Sequence, residues 1–387
     1  MAASRQSAVR FIVALGVISL FADVTYEGAR SINGPFLATL GASAAVVGIV
    51  SGAGELAGYL LRLFSGLAVD RTRAYWPLTI AGYIVNLLAV PLMALAGHWG
   101  VAAALIIAER AGKAVRTPAR DVMLSQASTI IGRGWGFGLH EFMDQLGAFV
   151  GPLVMALVLA KSHQYPIAYA VLAIPAGLAL ASLFTAVKLY PDPSRFEEPK
   201  AAGTVAGRLP RAFWIYMTAA GLLAAGFVDF PLIAFHFHQT SLATPAAIPV
   251  FYSAAMGVEA LTALLFGKLF DRFGTAALIV GVIFSAASSP LVFFGSFWAA
   301  LAGMGLWGAG MGAQQSLLRA KIADLVPAER RGAAYGIFNT AYGILWFAGS
   351  SAIGILYGRS LDSAVAFAMG TQLAAIPLLI IVERNPT

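Results

Sequence analysis

Gly66-Leu67-Ala68-Val69-Asp70-Arg71 and Gly267-Lys268-Leu269-Phe270-Asp271-Arg272 stand 201 residues apart and share the pattern Gly-x-x-x-Asp-Arg. Each closes an apolar run with an acid and a base. A second pair, Arg133-Gly134-Trp135-Gly136-Phe137-Gly138 and Arg331-Gly332-Ala333-Ala334-Tyr335-Gly336, opens an apolar run at nearly the same offset, 198 residues. Two matches in one register point to an internal duplication.

Between and beyond these stretches the chain is filled with apolar segments. A helix crossing ~30 Å of hydrocarbon needs about 20 residues. Segments of that kind fall near 8–35, 43–69, 76–96, 99–118, 135–160 and 164–188, then near 211–236, 247–268, 275–295, 297–318, 333–357 and 362–382. A polar stretch, 189–210, separates the two sets of six. Helices are required, because backbone polar groups in lipid must be satisfied within the segment. The expected fold is an all-α membrane protein of twelve spans in two six-helix bundles, residues 1–188 and 211–387, joined by a cytoplasmic linker at 189–210.

Composition agrees. Of 387 residues, 59% are hydrophobic and 11% charged, with a mean hydropathy of +0.80. A soluble domain carries about 25% charged residues. Disorder is excluded, and a soluble enzyme or DNA-binding domain would lack its charged surface. With both termini cytoplasmic, 19 of the 25 Lys and Arg residues lie on the inner side and only Lys161 and Arg359 on the outer. That bias is the positive-inside pattern, and it accounts for the net charge of +7 without a nucleic-acid partner. The run from residue 8 to Val24 has no small-residue cleavage site and is read as a first span, not a signal peptide. The absence of cysteine excludes disulfides, thiolate metal sites and Cys nucleophiles. No Gly-x-x-x-x-Gly-Lys-Ser/Thr is present, so ATP drive is not expected.

On these motifs the chain resembles the major facilitator superfamily over essentially its whole length. The stretch ending in Asp70-Arg71 is similar to that family's loop motif between spans two and three, but Arg73 replaces its second Gly, and Ala74 and Tyr75 replace the trailing basic pair. Gly147-Ala148-Phe149-Val150-Gly151-Pro152 resembles the fifth-span Gly-x-x-x-Gly-Pro element of many antiporter members. The run from Glu109 to Asp121 is similar to a signature of a bacterial subgroup of facilitators. The resemblance implies two bundles rocking about a central site, no cofactor, a monomer, and a multi-pass place in the cell's inner (cytoplasmic) membrane.

Physically, Asp70, Arg71, Asp271 and Arg272 at the ends of spans can pair with a neighbouring helix bundle and bias one conformation, or simply mark turns. Gly147 and Gly151, four apart, let another helix approach closely, and Pro152 bends the span. Pro118 is expected to break the fourth span.

Ionisable groups at span depth are costly and face a cavity or a partner. The first half concentrates them: Asp23, Glu27 and Arg30 on one face of the first span, Glu55 and Arg62 in the second, Glu109, Arg110, Lys113 and Arg116 in the fourth, with Arg120 and Asp121 at its exit, and His140, Glu141 and Asp144 in the fifth. The second half has Asp229 and Glu259, with Gln314, Gln315, Asn339, Tyr342 and Trp346 as neutral polar groups. An acid whose Arg partner comes and goes with conformation can load a proton on one side and release it on the other. A static ion-pair network is the alternative. The basic stripe of the fourth span either attracts an anionic substrate or anchors the cytoplasmic face. His236 and His238 read as interfacial residues.

The leading expectation is a proton-coupled exporter of a small organic solute or drug, surrounded by membrane lipid, with the proton as coupling ion. The alternatives are proton-coupled uptake of an organic anion, with Arg30, Arg110 and Lys113 as ligands, and a facilitator-like sensor that does not transport. An intramembrane hydrolase is disfavoured, because no Ser–His or metal-ligand constellation is visible in the sequence.

Overall fold

The computed structural model describes residues 5–192, 209–327 and 330–384. Most of the linker expected at 189–210 lies outside them. The described residues are mostly helical, with short connections between the helices and no strand among them. Among the described residues fourteen α-helices follow one another: α1 (Arg5–Thr39), α2 (Ala44–Thr72), α3 (Tyr75–Leu92), α4 (Trp99–Ile131), α5 (Arg133–Ser162), α6 (Tyr165–Val171), α7 (Ala173–Leu189), α8 (Arg211–Gly226), α9 (Phe230–Gln239), α10 (Ile248–Phe273), α11 (Thr275–Phe294), α12 (Phe297–Leu325), α13 (Arg331–Arg359) and α14 (Leu361–Arg384). Taking α6 with α7 and α8 with α9, ten of the described helices are long and apolar enough to cross a membrane. The other two are α4 and α12. α4 carries six charged residues, and α12 holds five glycines beside Gln314 and Gln315.

The helices pack as two compact units. One takes Met1–Ile32 and Ala57–Ala201, the other Asn33–Leu56 and Ala202–Thr387, so far as these are described. The ends of α1 and α2 that flank Gly41 thus pack with the second unit. There a Cβ on Gly48 would lie 2.4 Å from the Ser350 carbonyl, so α2 and α13 meet backbone to backbone.

Two departures from the expected spans have clear physical causes. The first is that α4 does not break at Pro118 but runs on to Ile131. A proline deprives the carbonyl four residues back of its helical N–H. That carbonyl belongs to Ala114, and it accepts instead from Ser65 Oγ at 2.9 Å. The second is that the seventh span is two helices, interrupted between Gly226 and Phe230. Pro231 stands in the first turn of α9 and lacks the N–H that a continuous helix would give the Phe227 carbonyl. The carbonyls freed by the break find side-chain donors: Gln372 Nε2 at 2.9 Å from Gly226 O, and Trp307 Nε1 at 2.8 Å from Val228 O. α5 runs without interruption through Pro152.

The repair at Pro118 is testable. Ser65→Ala leaves a buried carbonyl unpaired and is expected to destabilise the protein by about 1–3 kcal/mol, read as a lower thermal midpoint in detergent. In a Pro118→Ala background the backbone N–H returns, and the same substitution is expected to cost little.

Candidate functional site

In the first unit, α4 presents one charged face to α1, α3 and α5. Its approach to α3 depends on two glycines: a Cβ on Gly112 would sit 2.4 Å from Asn86 N, and one on Gly82 would sit 2.6 Å from Arg116 N. Asn86 then donates through Nδ2 to Glu109, at 3.1 Å to the carbonyl and 2.8 Å to Oε1. Glu109 Oε2 lies 3.4 Å from Arg110 Nε. One turn on, Lys113 Nζ lies 3.8 Å from Glu27 Oε1 and 3.9 Å from the centre of the Tyr26 ring.

Arg116 comes next and is only 1% exposed. Its guanidinium carbon stands 4.2 Å from the centre of the Tyr83 ring and 5.8 Å from that of Tyr26. Its Nε and Nη1 have no hydrogen-bond partner among the described residues. Asp23, 3% exposed, lies within electrostatic range of Arg116, Lys113, Glu27 and Asp144. Among the described residues no ion pair within 4 Å and no hydrogen bond fixes its carboxylate. α5 backs it closely, for a Cβ on Gly147 would fall 2.8 Å from Asp23 Cβ, and one on Gly151 would fall 2.6 Å from Val24 O.

Further along α4 lies a second group. Arg120 holds Asp121 through Nε and Nη2 at 3.0 and 2.8 Å, lies 3.6 Å from Asp144 through Nη1, and donates to Ser19 Oγ at 3.0 Å. His140 bridges Ser19 Oγ at 3.1 Å and Asp144 Oδ2 at 3.5 Å. A Ser–His–Asp row therefore does exist, contrary to the reading of the sequence, because α1 and α5 bring together residues 121 positions apart. Ser19 is fully buried, and its oxygen accepts from Arg120, so the row is closed within the protein.

In the second unit two buried acids receive neutral donors. Asp229, in the break between α8 and α9, receives Trp346 Nε1 at 3.1 and 3.2 Å on its two oxygens, and Ser350 Oγ on Oδ2. Glu259 receives Gln315 Nε2 at 2.7 Å. Tyr342 donates to Gln314 at 3.2 Å and stacks on Phe338. Trp346 and Trp307 both face Phe227 in the same break, at 5.4 and 5.2 Å between ring centres.

The residues singled out in the sequence thus fall into separate groups. Asp23, Glu27, Lys113 and Arg116 come together, as do Glu109 with Arg110, Arg120 with Asp121 and Asp144, Asp229 with Trp346, and Glu259 with Gln315. Glu141 is exposed and accepts from Gln145 at 3.2 Å. Arg30, Glu55 and Asn339 are half-buried, and Glu55 lies in the part of α2 that packs with the second unit. Asp70, Arg71, Asp271 and Arg272 are exposed at helix ends. Residues the sequence reading passed over are Ser19, Tyr26, Tyr83, Asn86 and Ser350. Asn86, a lone amide in an otherwise apolar third span, was the signal available for one of them.

A family model described as Major Facilitator Superfamily matches residues 15–381. An uncharacterized protein of Mycobacterium tuberculosis is 43% identical over 379 residues, covering 96% of this chain and 93% of its own. An uncharacterized MFS-type transporter of Methanocaldococcus jannaschii is 24% identical, covering 95% and 93%. Among solved structures, a variant of the nucleoside transporter NupG aligns with a TM-score of 0.74 over 96% of this chain and 98% of that one, at 12% identity. A variant of the peptide transporter POT with alafosfalin aligns at 0.76 over 96% and 93%, also at 12% identity. Those likenesses carry the fold alone.

The Asp229 cluster gives a direct check. Trp346→Phe keeps the ring and removes its N–H. It is expected to lower stability by about 1–3 kcal/mol, measured as a thermal midpoint shift, with the Phe227 contact preserved.

Proposed function

Since the chain belongs to the major facilitator superfamily, a family of multi-pass membrane transporters, we propose that it is a proton-coupled secondary transporter of a small organic solute with Asp23 as the proton site. The observation that carries this reading is Asp23 itself. It is a buried carboxylate in mid-helix, with cations of α4 nearby and no fixed hydrogen-bond donor among the described residues. A buried charge without a close partner is expensive, and a proton relieves it. Glu109, by contrast, is held by Asn86 and Arg110, and Asp229 by Trp346 and Ser350. Those acids read as structural, each within its own unit, and Asp23 as the exchanging group.

In this reading twelve helices span the cell's inner membrane with both termini cytoplasmic. Residues 1–188 and 211–387 form the two bundles of an alternating-access cycle, and the working form is a monomer in lipid. Export in exchange for protons is the direction favoured by Gly147-x-x-x-Gly151-Pro152, whose glycines set α5 against the backbone of α1 beside Asp23. A second direction, uptake of an organic anion together with a proton, is favoured by the unspent donors of Arg116.

Two experiments test the proposal. In proteoliposomes with an imposed pH gradient, Asp23→Asn is expected to abolish proton-dependent flux while expression and folding survive; full flux in that variant would overturn the assignment. The chain has no cysteine, so an introduced one is the only thiol. Lys161→Cys is expected to react with an impermeant maleimide on whole cells lacking an outer-membrane barrier. Arg384→Cys is expected to react only after permeabilisation. The reverse pattern would invert the topology.

A further inference from the structure

Arg116 stands apart from the other cations of α4. Arg110 has Glu109 at 3.4 Å, Lys113 has Glu27 at 3.8 Å, and Arg120 has Asp121 at 2.8 Å. Arg116 is the most deeply buried of these, at 1% exposure, yet its Nε and Nη1 find no acceptor among the described residues. What it does have is aromatic: the Tyr83 ring at 4.2 Å and the Tyr26 ring at 5.8 Å. Rings stabilise a guanidinium through its charge. They do not accept its in-plane N–H groups, which form a fork matched to a planar carboxylate or a phosphate. Unused donors on a buried cation are costly to maintain, and an anionic ligand removes that cost.

We infer that Arg116 is the recognition group for an anionic substituent, a carboxylate or a phosphate, on the transported solute, with Tyr26 and Tyr83 holding the guanidinium for the ligand. This rests on the anion reading given above and moves the ligand role from Arg30, Arg110 and Lys113 to Arg116; Arg110 and Lys113 have protein acids beside them.

The neighbouring charges give the site its coupling. Asp23 and Glu27 of α1 face Lys113 and Arg116 of α4, two negative charges against two positive. Asp144 of α5 also faces Asp23 and Arg116, and it is held by Arg120 and His140. Ionised, Asp23 offsets the charge of Arg116. Protonated, it leaves one positive charge in excess, which an anion then neutralises. Proton and anion therefore bind together, each raising the affinity for the other by the same factor.

Isothermal titration of the full-length protein in nanodiscs, with benzoate and with inorganic phosphate as probes, tests this. Choline serves as the cationic control. Buffers of different ionisation enthalpy count the protons. The expected result is that one of the two anions binds with uptake of about one proton, its affinity falling about tenfold per pH unit once the free site has lost its proton. Which probe binds separates a carboxylate from a phosphate ligand. Arg116→Gln is expected to weaken binding at least about tenfold, and Arg116→Lys to restore part of it. Asp23→Asn is expected to bind the anion without proton uptake. Undiminished affinity in Arg116→Gln would overturn the assignment of Arg116 and leave anion transport to another site. Failure of the wild-type protein to bind either anion, or binding of choline instead, would overturn the anion reading itself. If Arg116→Gln does not fold, the proton count on the wild-type protein still decides: anion binding without proton uptake there would sink the coupling.

Discussion

Polar groups cut off from water inside apolar helices must be satisfied by the protein, and this constraint runs through the whole structure. It is visible first in the backbone. Pro118 strips the Ala114 carbonyl of its helical donor, and Ser65 supplies another. The break before α9 frees the carbonyls of Gly226 and Val228, and Gln372 and Trp307 take them. In each case a side chain from a different helix repairs the first. The polar residues scattered through the apolar segments therefore hold helices together as well as serving any transport role.

The same constraint governs the charges, and the two units meet it differently. In the second unit Glu383 near the end of α14 pairs with Lys321, while two buried acids receive neutral donors, Trp346 and Ser350 for Asp229 and Gln315 for Glu259. Such contacts are directional and leave the acid well fixed. The first unit sets acids against bases along α4, where Glu109 is tied down by Asn86 while Asp23 and Arg116 face one another without a direct bond. An electrostatic balance of that kind changes when one proton is added. A closed set of hydrogen bonds does not change so readily, which favours the α1–α4 side for the proposed proton site.

Glycine makes this arrangement possible. Gly82 and Gly112 bring α3 against α4 closely enough for Asn86 to reach Glu109. Gly147 brings α5 against the turn of α1 that carries Asp23. Helix contacts between small residues have little apolar area to gain in a membrane and depend on close packing. The positions of the charged groups are therefore set by residues that carry no chemistry of their own.

The sequence by itself determined the class of protein, the duplicated motifs, the apolar segments and the family, because all of these depend on composition and on spacing along the chain. It also found the charged residues of α4, since a base or acid in an apolar run is conspicuous wherever it points. It misjudged Pro118 and missed the break before α9. The first outcome depends on Ser65, 49 positions from the carbonyl it rescues. The second was marked only by Pro231, and Trp307 and Gln372 make it tolerable. Spacing along α4 did not distinguish Arg116 from Arg110 and Lys113. Only tertiary structure decided which of them has an acid beside it and which lies against two tyrosine rings, because partners in a helix bundle come from other helices, and the contacts between helices are not written in the periodicity of any one.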